Sequence, residues 1–134
     1  MTTLDHVALN VTSLDRTADF YCSLLGLVRL NRVDMGDHTI QYLTSGTEVL
    51  FGLIEYAEGV EPAWSGTRQQ AAPRHLAWRV ADVAALEPDV SRLGRVVVTQ
   101  PSYVPNLDFN NMLIRDPDGI EVELVERAPT HRLG

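Results

Sequence analysis

The chain has 134 residues and no lysine, a single cysteine and few aromatic side chains. Each shortage excludes something. Cys22 alone cannot form an intrachain disulfide, so a reducing, cytoplasmic setting is expected. With 11 Arg against 18 Asp and Glu the formal net charge is −7, and the arginines form no stripe. Nucleic acid, which demands a basic face, is excluded as a partner. No apolar run reaches the ~18 residues of a membrane-spanning helix. Nor does a basic segment followed by an apolar one open the chain, so neither a signal peptide nor a membrane association is expected. The remaining composition, 45% apolar and 22% charged, suits a single globular domain with a core of its own.

Arg115 to Arg127, RDPDGIEVELVER, poses a specific problem. Asp116-Pro117-Asp118-Gly119 is a turn signal, since Pro presets φ and Gly suits the last position. The residues after it alternate with period two. Ile120, Val122 and Leu124 share one face; Glu121, Glu123 and Val125 share the other. On a wet edge strand the glutamates need no explanation. On a covered face they need partners.

An internal repeat bears on the choice. LDHVALNVTSL, Leu4 to Leu14, resembles RHLAWRVADV, Arg74 to Val83, at an offset of 69 residues. His6 then matches His75, Ala8 matches Ala77 and Val11 matches Val80. In both segments a histidine, a small residue and a polar residue lie opposite the apolar face. A helix signal follows each. Thr12 or Ser13 caps one ending at Gly26; Asp82 caps another ending near Gly94, in which Pro88 implies a restart or a kink. Further strands are expected at Leu27–Val33, Thr39–Leu43 and Val49–Tyr56, then at Arg95–Thr99, Asn110–Arg115 and Ile120–Glu126. The chain thus reads as an α+β protein of two βαβββ modules, residues 4–57 and 74–126, with a linker at 58–73 and a tail at 127–134. The expected architecture is a curved, partly open mixed sheet around a central cleft, with the helices outside.

Three strands place a metal-capable group on the face away from the core: His6, His75 and Glu123. Two imidazoles and a carboxylate suit a divalent cation and leave coordination positions open. A metal would also compensate an inward glutamate. Singly, either histidine is better read as a hydrogen-bonded structural residue. The repeat strengthens the set, because it places both histidines at equivalent points.

The motifs DHVALNV with FYCSLLGL downstream, RHLAWRV and DPDGIEVELVE resemble the vicinal oxygen chelate superfamily from Leu4 to Glu126. That superfamily includes glyoxalase I, methylmalonyl-CoA epimerase, fosfomycin-modifying thiol transferases, extradiol dioxygenases and bleomycin-binding proteins. The resemblance implies a metal held by His6, His75 and Glu123, and a homodimer. It implies a small oxygen-bearing substrate, with Fe(II) the first choice of metal and Mn, Ni, Co or Zn open. Glyoxalases and epimerases place a further Glu or Gln on the fourth strand, here VLFGLIEY, where the slot falls on Phe51, Leu53 or Glu55. The repeat, taken from Leu25-Gly26 and Leu93-Gly94, points to Glu55; comparison from the preceding glycine turn points to Phe51.

Three readings follow from the resemblance. The first is an extradiol-type dioxygenase, although Leu113 stands where that group has a Tyr and no His lies between His75 and Glu123. The second is a glyoxalase- or epimerase-like lyase or isomerase with Glu55 as its catalytic carboxylate. The third is a non-catalytic drug-binding module, disfavoured because all three ligands are present. Phe51, Leu53, Tyr103, Phe109, Asn111 and Arg79 are the expected substrate-binding residues. His38 is expected to be exposed in a turn.

Overall fold

The computed structural model describes residues 4–46, 49–61 and 74–128, with residues 49 and 50 as backbone only. The expected linker at 58–73 and tail at 127–134 therefore fall largely outside the described residues. The chain divides into two compact units, Met1–Ala72 and Pro73–Gly134. The first holds β1 (Val7–Asn10), α1 (Leu14–Leu25), β2 (Val28–Asp34), β3 (His38–Thr44) and β4 (Val49–Tyr56). The second holds β5 (Leu76–Arg79), α2 (Val83–Arg92), β6 (Val97–Val104), β7 (Phe109–Arg115) and β8 (Glu121–Glu126). Both are βαβββ, as the repeat requires. No helix among the described residues is long and apolar enough to cross a membrane.

Each unit builds one four-stranded mixed sheet, in the order β1-β4-β3-β2 in the first and β5-β8-β7-β6 in the second. The first strand runs parallel to the fourth, and the other pairings are antiparallel. The helix lies between these two parallel strands in sequence, which is how a parallel pair is connected.

The helix boundaries follow from local chemistry. The Ser13 hydroxyl accepts from the Arg16 N–H at 3.2 Å, and the Asp82 carboxylate accepts from the Ala85 N–H at 3.1 Å. Gly26 ends α1 at φ 68°, the left-handed conformation that glycine adopts without strain, and its N–H donates to the Cys22 carbonyl at 2.9 Å. α2 continues through Pro88 as one helix, where the sequence implied an interruption. Val83 and Val90, two turns apart and fully buried, anchor it on both sides of the proline.

β6 departs further from expectation. The anticipated strand stopped at Thr99; the observed strand runs on through Pro101 to Val104. Among the described residues β6 pairs only with β7, so it is an edge strand of its sheet, and its register shifts on both sides of Thr99. An edge at an irregularity is where a strand tolerates proline.

Each unit packs its helix on one sheet face. In the first, Leu14, Ala18, Tyr21 and Leu24 of α1 are buried along with Leu43, Phe51 and Leu53 of the sheet. In the second, Val83 and Val90 are buried along with Met112, Ile114, Val122 and Leu124. The apolar half of the opening puzzle, Val122 and Leu124, is thus core.

Candidate functional site

Pairing and pleat decide which side chains share a face. In the first unit, Val7 pairs with Phe51 and Leu9 with Leu53, on the helix-covered face. Ala8 pairs with Gly52 and Asn10 with Ile54 on the opposite face, to which His6 belongs by alternation. Tyr42 pairs with Gly52 on that same face, and its ring meets the His6 imidazole edge-on at 5.9 Å.

This register corrects three expectations. Phe51 and Leu53 are 1% and 0% exposed and lie in the core, Phe51 edge-on to Tyr21 at 5.0 Å, so neither is placed to line a substrate pocket. Glu55 shares their face rather than that of His6. Its Oε1 accepts from the Leu14 N–H at 3.1 Å, at the first residue of α1. A carboxylate there satisfies a free N–H and complements the positive end of the helix dipole. Glu55 is therefore committed to the helix, opposite the His6 face. His38, expected in an exposed turn, opens β3 and is only 20% exposed, tilted against Tyr56 at 5.0 Å.

The second unit identifies the true counterparts. Glu126 Oε2 accepts from the Val83 N–H at 3.0 Å, at the first residue of α2. Glu55 is thus the equivalent of Glu126. Leu76 pairs with Val122 and Ala77 with Glu123, matching Val7 with Phe51 and Ala8 with Gly52. Gly52 is consequently the equivalent of Glu123. The slot in which a fourth-strand ligand would stand holds a glycine. A Cβ there would meet the Tyr42 ring at 3.2 Å and the Ile40 side chain at 3.4 Å. An aromatic ring laid across a strand glycine restores the packing that the missing side chain forgoes. The offset taken at the helix ends misled, because the spacing between the modules changes before the fourth strand is reached, as the pairs Ala8–Gly52 and Ala77–Glu123 show.

In the second unit the non-helix face carries polar groups in contact. His75 Nε2 lies 3.6 Å from Glu123 Oε1, and Asn111 Nδ2 donates to Glu123 Oε2 at 2.9 Å. Asn111, expected to touch substrate, holds the Glu123 carboxylate instead. Glu121 flanks the histidine on its other side: its Oε1 is 4.0 Å from His75 Nδ1 and 3.4 Å from Arg74 Nη1. Alternation in EVELVE had put Glu121 on this face, but nothing in the sequence singled it out from a solvated glutamate. The side chains of Glu123 and Glu121 are 14% and 17% exposed.

A divalent cation fits this donor set in one respect and not in another. His75 Nδ1 and Glu121 Oε1 are buried without a hydrogen-bond partner, and two carboxylates flank one imidazole. Buried groups of this kind call for a compensating partner. Within neither module, however, do three His, Cys, Asp or Glu side chains among the described residues converge as a metal requires. In the second module His75 and Glu123 are two donors of the three that such a cation would need.

A cavity of about 620 Å³ also opens in the second unit. Arg79, Tyr103 and Phe109, three of the residues expected to bind substrate, line it with Asp108, Glu126 and Arg127. The Tyr103 hydroxyl donates to Asp108 Oδ1 at 2.7 Å. That hydrogen bond, with smaller contributions from desolvation and the Asp108 charge, raises the phenol above its ordinary pKa.

Known proteins resemble this chain in sequence and in fold. A family model described as Glyoxalase/Bleomycin resistance protein/Dioxygenase superfamily matches residues 3–124. A probable lactoylglutathione lyase of Vibrio cholerae is 29% identical over 94% of this chain and 91% of its own length. Lactoylglutathione lyase GLX1 of Arabidopsis thaliana is 31% identical over 93% of this chain, which spans 44% of that protein. Among solved structures, glyoxalase I from Zea mays is 28% identical, with a TM-score of 0.77 over 94% of this chain and 45% of its own.

Proposed function

We propose, from the premise that the chain belongs to the glyoxalase/bleomycin resistance protein/dioxygenase superfamily, that it is a divalent-metal-dependent lyase or isomerase acting on a small oxygen-bearing molecule. The observation that carries the reading is the His75–Glu123 pair, with Asn111 fixing the carboxylate. His75 and Glu123 are two ligands, and His6, the residue the repeat assigns to the same role in the first module, is the third. When bound, a divalent cation supplies Lewis-acid polarisation of a substrate oxygen.

The protein's own groups do the rest. Asn111 orients Glu123 and leaves its other oxygen toward His75. Glu121, partly buried beside His75 Nδ1 and paired with Arg74, would orient the imidazole so that Nε2 is offered to the metal. The relatives, named as lactoylglutathione lyases, support lyase or isomerase chemistry over ring cleavage. Gly52 sets this chain apart from a glyoxalase with a fourth-strand ligand, so a bound metal would be left with one protein ligand fewer. The metal's identity is left to Fe, Mn, Ni, Co or Zn, and a homodimer is part of the proposal.

The test is metal content after purification without added metal, followed by assay of the reconstituted protein. One equivalent of metal per chain, lost in Glu123→Ala, with lyase or isomerase turnover and no oxygen uptake, is expected. Oxygen uptake with catechols on an iron-loaded protein would restore the dioxygenase reading. Failure to bind any divalent metal would sink both and leave a binding module.

A further inference from the structure

We propose that the cavity of the second unit binds the carboxylate end of a flat apolar substrate, with Arg79 as its charge partner. The inference deepens the functional reading and rests on it, naming the second point at which the substrate is held. The cavity, about 620 Å³, is large enough for a small molecule. Its charges number two arginines and two carboxylates, but they are not equivalent. Glu126 is occupied by the Val83 N–H, and Asp108 by the Tyr103 hydroxyl. The Arg127 guanidinium lies over the Phe109 ring, 4.7 Å from its centroid. The Arg79 guanidinium has neither a hydrogen bond nor an ion pair among the described residues. It is the cation left to receive a ligand.

The geometry favours a carboxylate on a planar body. A guanidinium presents a planar fork of N–H donors that matches two carboxylate oxygens. The Arg127–Phe109 stack gives the cavity a flat wall on which a ring can lie. Tyr103, 56% exposed and held by Asp108, supplies a second aromatic edge. Alternation also places Arg79 on the face that carries His75, four residues further along. At a strand rise of about 3.3 Å per residue the two Cα atoms are about 13 Å apart. The substrate so defined has metal-directed oxygens at one end, a carboxylate at the other, and a rigid apolar span between.

The experiment is calorimetric titration of metal-free protein, in chelator, with 2-naphthoate, 2-naphthyl phosphate and 2-naphthylmethanol. Naphthoate is expected to bind at least tenfold more tightly than the neutral alcohol, and more weakly as salt is raised. Arg79→Ala is expected to lose at least tenfold of that affinity, and Arg79→Lys to recover part of it. Arg79 is exposed, and circular dichroism checks that both variants fold. Equal binding of naphthoate and the alcohol, or unchanged naphthoate binding in Arg79→Ala, would overturn the proposal. Tighter binding of the phosphate than of naphthoate would overturn the carboxylate assignment. Divalent-metal titration of the same wild-type protein reports separately on the functional reading, so the failure of one is not mistaken for the failure of the other.

Discussion

Asn111 and Glu123 show how much one amide decides. A carboxylate accepting a charge-assisted hydrogen bond is held in one rotamer, and such supporting partners typically alter metal affinity 10–100-fold when removed. Asn111→Ala should therefore weaken divalent-metal binding by roughly tenfold, by the same principle, while leaving the stoichiometry at one. Competition against a chromophoric chelator measures it; unchanged affinity would mean that Asn111 does not position the ligand. Tyr103 gives a pH prediction. Its pKa is raised in the folded protein, chiefly by the bond to Asp108. The stabilisation from that bond is complete below the phenol's unfolded pKa and is lost as pH rises through the higher folded value. Ultraviolet difference titration against Tyr103→Phe should show Tyr103 ionising above the ordinary phenol range, and Asp108→Asn should bring it back down.

The elements show what sequence can carry and where it fails. Both βαβββ modules, both helix caps and the His6–His75 equivalence are local or periodic signals, and the sequence displays them. The role of Glu55 is neither. Whether it faces the histidine or the helix depends on pairing with strands far away in sequence, and the spacing between the modules changes before the fourth strand is reached. Gly52 was invisible as a ligand slot for the same reason: only the pairs Ala8–Gly52 and Ala77–Glu123 reveal the correspondence. β6 runs past its anticipated end through Pro101, which an edge strand tolerates. Glu55→Ala should lower stability by about 1 kcal/mol, as the loss of a helix-capping acceptor does, and leave metal affinity unchanged. Thermal unfolding and metal titration of one sample decide it, and a collapse of metal binding would return Glu55 to the metal.

At the scale of the whole molecule, the proposed metal would be linked to the fold. A ligand that binds only the native state stabilises it by about 2.7 kcal/mol at a free concentration 100 times its Kd. The melting temperature should rise on addition of the preferred metal and fall with chelator. Absence of any shift would count against a metal site. Gly52→Glu introduces a carboxylate on the His6 face but drives its Cβ toward the Tyr42 ring. Overpacking of this sort costs about 1–3 kcal/mol. Gly52→Glu combined with Tyr42→Ala should relieve the clash and bind metal more tightly than wild type; equal affinity would mean that position 52 is not the ligand slot.

The two caps carry a kinetic consequence. In each module the acceptor that completes the helix N-terminus comes from the last strand, 41 residues away for Glu55 and 43 for Glu126. Neither helix can be finished when its residues first emerge, and each waits for a strand made much later. The contact is non-local, with a loop-closure entropy to overcome, and belongs to the late side of the folding barrier. Glu55→Ala and Glu126→Ala should then leave refolding rates nearly unchanged and accelerate unfolding. Stopped-flow chevrons would show this as a shift of the unfolding arm alone. The glutamates act as latches: they do not direct the chain into its fold, but they slow its departure.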